Sequence, residues 1–254
     1  MARTVITGSA SGIGAAIRAR FEAGGDEVLG IDLHKAEIEA DLSTPEGRAD
    51  AVRKSGSHWD AIDRLILCAG VATSTQPRSL VPSVNYFGAV ALLDGLLPAL
   101  RAGRDPVAIA IASNSARLVP LDQTPYVQAL LADDEATARR LADEDGHGFV
   151  SYGGSKLALG IAIRRRAVAF GEAGVRLNAV APGPVETPLY AKDAADPLVS
   201  RGIESLKIPL GRNARPEEIA GLVAFLAGPE ATYVHGAIWY ADGGIDASMR
   251  PESF

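Results

Sequence analysis

The chain has 254 residues, of which 47% are hydrophobic and 22% charged, a balance typical of a globular protein with a sizeable core. Its net charge of −6 argues against nucleic acid or an anionic membrane as a partner, because binding to phosphate groups requires a basic surface. A single cysteine, Cys68, excludes an internal disulfide, and no apolar segment reaches the roughly 18 residues of a membrane span. We therefore expect a cytoplasmic protein.

Short apolar runs rich in β-branched residues alternate with helical patterns along the chain. Runs that are apolar throughout predict parallel strands covered by helices on both faces. The predicted strands are 4–7, 27–31, 65–67, 107–111, 175–180 and 237–240, and the predicted helices include 15–23, 80–100 and 152–170. We predict an α/β protein with a doubly wound parallel sheet, the Rossmann fold, formed by residues 1–254 as a single domain.

The segment 118–148 interrupts this alternation and is predicted to form two short helices. Thr124 followed by Pro125 is typical of a helix start, and Asp133 is predicted to cap the second helix. The segment directly precedes the helix that carries Tyr152. We interpret it as a small helical insert in the fold.

Three glycines follow the first predicted strand in the sequence GSASGIG. Gly8, Gly12 and Gly14 would let the backbone turn sharply and approach a pyrophosphate at the start of the next helix. Together with Asp32 at the end of the second strand, this context predicts a dinucleotide site. A carboxylate there would accept hydrogen bonds from both ribose hydroxyls of NAD and repel the 2′-phosphate of NADP, so the predicted cofactor is NAD. If Asp32 only terminates the strand, NADPH would serve as well.

Tyr152 and Lys156 lie four residues apart, which places them one turn apart on the same helix face. An unperturbed tyrosine has a pKa of about 10, and the Lys156 ammonium, together with an oxidised nicotinamide ring, is expected to lower it. Such a pair is suited to proton transfer. The small residues between them, Gly153, Gly154 and Ser155, are expected to let a bulky cofactor approach the helix.

Further motifs follow one another in the order found in one large enzyme family. They are Thr7-Gly8 with Gly12-Ile13-Gly14, Cys68-Ala69-Gly70, Val84-Asn85, Ser113, Tyr152 to Lys156, Pro182-Gly183 with Thr187, and Asp242-Gly243-Gly244. On these residues the chain resembles the short-chain dehydrogenase/reductase family over essentially its whole length. The family usually places asparagine where this chain has Cys68, and the backbone support that asparagine provides is therefore in doubt.

The resemblance implies a role for each matching residue. Tyr152 would be the general acid/base, Lys156 would lower its pKa and hold the nicotinamide ribose, and Ser113 would hydrogen-bond the substrate oxygen. Ser115 is the alternative serine, and Asn85 would help anchor a water relay from Lys156 to solvent. The expected cofactor-binding residues are Gly8, Ser11, Gly12, Ile13, Gly14, Asp32, Asp41, Leu42, Cys68, Ala69, Gly70, Tyr152, Lys156, Pro182, Gly183, Val185 and Thr187.

The resemblance thus implies an NAD-dependent oxidoreductase that interconverts a secondary alcohol and a ketone. Within the family the chain looks most like bacterial hydroxysteroid dehydrogenase/carbonyl reductases, which share the insert. The loops around Leu118, Val119, Leu189 and Tyr190 are apolar, which suits a bulky hydrophobic ketone or secondary alcohol such as a steroid. The alternatives are another cyclic, aromatic or diol alcohol, or a catalytically silent nucleotide sensor.

The insert also affects the expected assembly. Members of this family often form tetramers partly through the helix that carries the tyrosine, and an insert beside that helix would block this face. We therefore expect a homodimer, formed through residues 215–240. The histidines at 34, 58, 147 and 235 show no paired ligand spacing, so no metal site is expected.

Overall fold

The computed structural model describes residues 1–253, with a parallel sheet at its centre. The strands are β1 (Arg3–Thr7), β2 (Glu27–Asp32), β3 (Ile38–Glu39), β4 (Arg64–Leu67), β5 (Val107–Ile111), β6 (Arg176–Pro182) and β7 (Ile238–Ala241). Their order across the sheet is β3-β2-β1-β4-β5-β6-β7, and each neighbouring pair is parallel. This topology confirms the predicted doubly wound α/β fold.

Helices cover both faces of this sheet. They are α1 (Gly12–Ala23), α2 (Pro45–His58), α3 (Leu80–Pro82), α4 (Ala89–Gly95), α5 (Leu97–Arg101), α6 (Pro125–Leu131), α7 (Glu135–Glu144), α8 (Phe149–Glu172), α9 (Pro188–Ala194), α10 (Ser200–Ser205), α11 (Pro216–Ala227) and α12 (Ile245–Met249). Within residues 1–253, none of these helices has the length and hydropathy that crossing a bilayer would require.

Neighbouring residues of the central strands face opposite sides of the sheet, and both sides are apolar. In β1, Val5 packs in one core layer and Ile6 in the other, and Leu65 and Ile66 of β4 divide in the same way. All four side chains are fully buried. Strands that bury both faces need helices on both sides, which explains why their sequences are apolar without alternation.

The segment predicted as one helix at 80–100 is interrupted twice, so that prediction was wrong. A π-helical turn at Ser83–Gly88 separates α3 from α4, and a second break at Leu96 separates α4 from α5. The second break has a local cause. Pro98 has no N–H to donate to the carbonyl of Asp94, and its ring would clash with that carbonyl.

The insert forms its two expected helices, α6 and α7. The Thr124 hydroxyl caps α6 by accepting a hydrogen bond from the N–H of Val127 (3.3 Å). The cap of α7 is Asp134, whose carboxylate accepts from the N–H of Thr137 (3.0 Å). Asp133, the predicted cap, instead has a positive φ of 61° in the turn between the helices. The prediction of Asp133 was wrong by one residue.

Candidate active site

The turn after β1 consists of glycines for steric reasons. A Cβ on Gly14 would lie 1.9 Å from the carbonyl oxygen of Gly8, and one on Gly8 would lie 2.8 Å from the backbone of Ala69. Gly8 and Gly12 also have positive φ angles of 69° and 52°. The glycines therefore allow a tight turn into α1, whose first residues line the cavity, and this suits the pyrophosphate of a dinucleotide.

The Asp32 carboxylate lies at the carboxyl end of β2, beside this turn. Its Oδ2 accepts a hydrogen bond from the N–H of Ala10 (2.9 Å), and its Oδ1 accepts from the N–H of Leu33 (2.7 Å). Asp41 and the buried Leu42 form the adjoining wall of the same cavity. This end of the cavity therefore has the acidic and apolar lining expected for an adenosine group.

Thr7 supplies the backbone support that Cys68 had placed in doubt. Its hydroxyl oxygen accepts hydrogen bonds from the N–H groups of Cys68 and Ala69, both at 3.0 Å. Burial raises the pKa of the Cys68 thiol to about 12, so the thiol is neutral at physiological pH. The turn after β4 is thus held without an asparagine side chain.

The segment that follows β6 forms another wall of the cavity. A Cβ on Gly183 would lie 2.8 Å from Cα of Asp242, which explains the glycine at this close approach. Thr187 donates a hydrogen bond to the carbonyl of Val185 (3.2 Å) and accepts one from the N–H of Tyr190 (3.1 Å), which caps α9. Pro182, Gly183, Val185 and Thr187 all line the cavity.

Ser113, Tyr152 and Lys156 meet where β5 ends beside α8. The Lys156 ammonium donates to the carbonyl of Ile111 (2.8 Å) and lies 5.9 Å from the centre of the Tyr152 ring. The Ser113 hydroxyl oxygen accepts from both the N–H (3.1 Å) and the hydroxyl (2.9 Å) of Ser115. Ser115 therefore lies behind Ser113 and orients its hydroxyl, although both serines line the cavity.

The pKa of Tyr152 shifts in the direction opposite to the expected one. Burial, with the negative charge of Asp193, raises this pKa to about 12, although the neighbouring Ser113 hydroxyl lowers it. Burial likewise lowers the pKa of Lys156 to about 8. Lys156 was expected to lower the pKa of Tyr152 together with an oxidised nicotinamide ring, and for the protein's own groups this expectation is wrong. The phenol is protonated at neutral pH.

Asn85 lies in the π-helical turn, behind the cavity wall rather than on it. It is fully buried, and its carboxamide accepts from the N–H of Val71 (2.8 Å) and donates to the carbonyl of Val71 (3.2 Å). A Cβ on Gly70 would lie 3.3 Å from Asn85 Oδ1 and 3.6 Å from Lys156 Nζ. Asn85 thus supports the backbone next to Lys156.

These residues surround one cavity of about 650 Å³. All the expected cofactor-binding residues line it, and its remaining part is mainly apolar, with contributions from Leu118, Phe149, Leu189, Tyr190, Val199, Ile203, Leu206 and Met249. Val119, expected in this part, is instead 41% exposed at the surface.

Asp193 also lines the cavity, and no local pattern in the sequence indicated it. Among the lining residues described by the structure, Lys156 is the one cation.

The small residues next to Tyr152 contact the protein itself. A Cβ on Gly153 would lie 3.1 Å from the carbonyl oxygen of Ser115, and one on Gly154 would lie 2.8 Å from the ring of Tyr126 in the insert. The Tyr126 hydroxyl donates to a backbone carbonyl of α8 (2.9 Å). Gly153 and Gly154 therefore make room for the insert and for the chain after β5, and the buried Ser155 hydroxyl donates to the carbonyl of Tyr152 (2.7 Å). None of the three lines the cavity, so the expectation that they make room for a cofactor was wrong.

Comparison with known families assigns both halves of the chain. Residues 2–129 match the family model described as short chain dehydrogenase, and residues 142–246 match the related model described as enoyl-(acyl carrier protein) reductase. The chain belongs to the short-chain dehydrogenase family. It is an oxidoreductase of this family, as the motif order predicted.

Sequence identity to two family members and superposition on one solved structure measure this similarity. The chain is 47% identical to a 3-alpha-hydroxysteroid dehydrogenase/carbonyl reductase of Comamonas testosteroni, with full coverage of both chains. It is 30% identical to a cis-4-hydroxycyclohexanecarboxylate dehydrogenase of Sinomonas cyclohexanicum over 96% of each chain. It superposes with a TM-score of 0.97 on the 3-alpha-hydroxysteroid dehydrogenase from Pseudomonas sp. B-0831 complexed with NADH, at 45% identity, covering 99% of this chain and 100% of that one.

Proposed function

We propose that this protein is an NAD-dependent dehydrogenase/reductase that interconverts an apolar secondary alcohol and its ketone, with 3α-hydroxysteroids as the first substrate class to test. The observation that carries the proposal is the position of Tyr152, Ser113 and Lys156 between the glycine cradle and the apolar part of one cavity. The similar hydroxysteroid dehydrogenases support the substrate class.

The proposed proton donor to the substrate is Tyr152. In ketone reduction its hydroxyl, together with the Ser113 hydroxyl, donates a hydrogen bond to the carbonyl oxygen, and the phenol proton then moves to that oxygen. In alcohol oxidation the proton returns to Tyr152. When bound, the nicotinamide ring supplies or accepts the hydride. Lys156 holds the ribose next to this ring and favours the phenolate once the proton has left.

Ser113 is the proposed partner of Tyr152, and Ser115 is assigned the role of orienting it. The hydrogen bonds from Ser115 to Ser113 support this division. Removal of a group that stabilises the developing oxyanion commonly lowers kcat by about 10²–10³-fold. Ser113→Ala should show a loss of this size, and Ser115→Ala a smaller one. The reverse order would transfer the role to Ser115.

The preference for NAD over NADP is assigned to Asp32. The negative charge at the end of β2 and the absence of Arg and Lys from that end of the lining, among the described residues, support it. The proposed pyrophosphate site is Gly8, Ser11, Gly12, Ile13 and Gly14, and Asp41 and Leu42 border the adenine. Cys68, Ala69, Gly70, Pro182, Gly183, Val185 and Thr187 complete the proposed cofactor site, and Asn85 is proposed to support the water relay from Lys156.

The proposed assembly is a homodimer formed through residues 215–240. Support comes from β7, which is an outer strand of the sheet, and from the exposed apolar rings of Phe225, Tyr233 and Tyr240. The insert covers part of α8 on another face of the molecule, which supports two chains rather than four. Light scattering at the mass of a tetramer would contradict this assembly.

A cytoplasmic location is proposed on the single free thiol, Cys68, which suits a reducing compartment. Cell fractionation with an antibody to the protein tests it.

A turnover screen tests the proposed function. Purified protein with NAD is offered 3α-hydroxysteroids, cyclic and aryl secondary alcohols and diols, and NADH formation is followed by absorbance. Turnover of a 3α-hydroxysteroid with higher kcat/KM than the smaller alcohols supports the proposal. Turnover of only the smaller alcohols would favour another alcohol dehydrogenase. NADH binding without turnover of any alcohol would favour a nucleotide sensor.

A further inference from the structure

Helix α9 lies over the apolar part of the cavity but is attached to the protein by a carboxylate. Of its seven residues, all described by the structure, Asp193 is the one that is buried, with 6% of its surface exposed. Surface helices normally bury an apolar stripe. A buried acidic residue in that place needs partners, because an isolated charge away from water is unfavourable.

Both carboxylate oxygens of Asp193 have such partners on the other side of the cavity mouth. Oδ2 accepts a hydrogen bond from the N–H of Thr73 (3.1 Å), and Oδ1 accepts one from the N–H of Ser74 (2.8 Å). Hydrogen bonds to an ionised acceptor are stronger than neutral ones. They join α9 to the segment 71–79 that follows β4, across 119 and 120 residues of sequence.

The segment 71–79 is itself held against the helix that carries Tyr152. Its Thr73 carbonyl oxygen lies 2.2 Å from the position that a Cβ on Gly148 would occupy, directly before α8. The N–H of Ser79 donates to Oδ1 of Asp143 in the insert (2.8 Å). Asp193 therefore ties α9 to a well-supported part of the protein.

We propose that Asp193 is a positioning residue for the reaction, which holds α9 closed over the substrate part of the cavity and so shapes the space beside Tyr152. The kinetic part of this inference rests on the proposed function. The charged and titratable groups facing the phenol are Asp193, Lys156 and the thiol of Cys68. Of these, Asp193 adds to the effect of burial in raising the pKa of Tyr152.

Asp193→Asn is the test variant, because it removes the charge and leaves one acceptor oxygen for two N–H donors. Asp196→Asn is the matched control. Its carboxylate also accepts from two N–H groups, of Leu198 and Val199, but both lie in its own loop. Asp193→Glu keeps the charge and moves it by one methylene group. Comparison of the two variants separates the effect of losing the charge from the effect of moving it.

Hydrogen–deuterium exchange of the purified proteins tests the tie without requiring turnover. In Asp193→Asn we expect exchange at 71–79 and 188–194 to become faster by about tenfold, since a hydrogen bond to a charged group is lost. Asp196→Asn should leave exchange at 71–79 unchanged. Unchanged exchange at 71–79 in Asp193→Asn, or an equal increase in the control, would overturn the proposal.

Steady-state kinetics test the effect on the reaction. Asp193→Asn should raise the KM for an apolar alcohol by about tenfold, because Asp193 lies at the substrate end of the cavity. The KM for NAD should stay within about twofold of the wild-type value. Its pH profile for oxidation should move to lower pH, whereas that of Asp193→Glu should not. Unchanged KM and pH profile would overturn the positioning role. A wild-type enzyme without turnover would overturn the proposed function instead, and the exchange difference would distinguish the two failures.

Discussion

Removing the carboxylate of Glu135 should destabilise the protein strongly, because it leaves a buried guanidinium without its counterion. Arg48 is 7% exposed and donates to both carboxylate oxygens of Glu135, at 2.7 and 2.6 Å. Its other hydrogen bonds go to the backbone carbonyls of Leu42 (2.8 Å), Ser43 (3.1 Å) and Ser83 (3.0 Å). This group therefore joins the insert helix α7 to the cavity wall at Leu42 and to the π-helical turn.

The size of the effect follows from the burial of the pair. Removing one partner of a buried ion pair costs roughly 3–5 kcal/mol of unfolding free energy. The Glu135 side chain is 23% exposed, so we expect the lower end, about 3 kcal/mol, for Glu135→Ala. In a protein of this length, about 1 kcal/mol shifts Tm by roughly 2–4 °C, so Tm should fall by about 6–12 °C.

Thermal unfolding followed by circular dichroism measures this shift, and the same helix offers a control. Glu144 pairs with Arg140, but both side chains are more than half exposed, at 58% and 60%. Exposed pairs contribute about 1 kcal/mol or less, so Glu144→Ala should change Tm by about 4 °C at most. Equal shifts in the two variants would refute the argument from burial.

Acid should weaken the same pair. Burial alone would raise the pKa of Glu135, but hydrogen bonds from Arg48 and Ser83 outweigh it and hold this pKa below its ordinary value of 4.5. Because the folded-state pKa is the lower one, the pair stabilises the fold above pH 4.5 and loses this contribution as the pH falls through the folded-state value. Urea unfolding at pH 7 and near pH 4 should therefore show a smaller pH effect in Glu135→Gln than in the wild type, and equal effects would contradict this.

Three further predictions concern the cofactor and the phenol. Asp32→Ala should raise the KM for NAD by about tenfold or more and reduce the discrimination against NADP, as steady-state kinetics with both cofactors would show. Gly14→Ala should abolish NADH binding in a fluorescence titration, because its Cβ would lie 1.9 Å from the Gly8 carbonyl oxygen. Since the pKa of Tyr152 is raised to about 12, kcat/KM for oxidation should rise by up to about tenfold per pH unit above neutrality, and a flat profile would contradict this.

The sheet and the glycine cradle could be predicted because their causes are local. Val5 and Ile6 had to be apolar together because one strand has two buried faces, and this leaves a continuous apolar run in the sequence. Gly8 and Gly14 belong to one turn, so their spacing can be seen directly in the sequence. β3 was missed because two residues, Ile38 and Glu39, are too few to form a pattern.

Features that depend on distant contacts could not be predicted in the same way. The sequence shows that Gly154 is small, but not that the ring of Tyr126 fills the space beside it. Nothing near Asp193 indicates that its partners are the N–H groups of Thr73 and Ser74. The pKa of Tyr152 was predicted from two positive charges, those of Lys156 and the oxidised nicotinamide ring, whereas burial, which the sequence does not give, has the largest effect on it.

Tyr152→Phe, with turnover and NADH binding measured on the same preparation, tests most directly whether the phenol transfers the proton. The substitution removes one hydroxyl and keeps the ring, so the cavity keeps its shape. We predict that kcat falls by about 10²–10⁴-fold, the usual contribution of a positioned general acid or base, and that the Kd for NADH stays within about twofold. A variant that binds NADH and retains turnover near the wild-type rate would contradict the account.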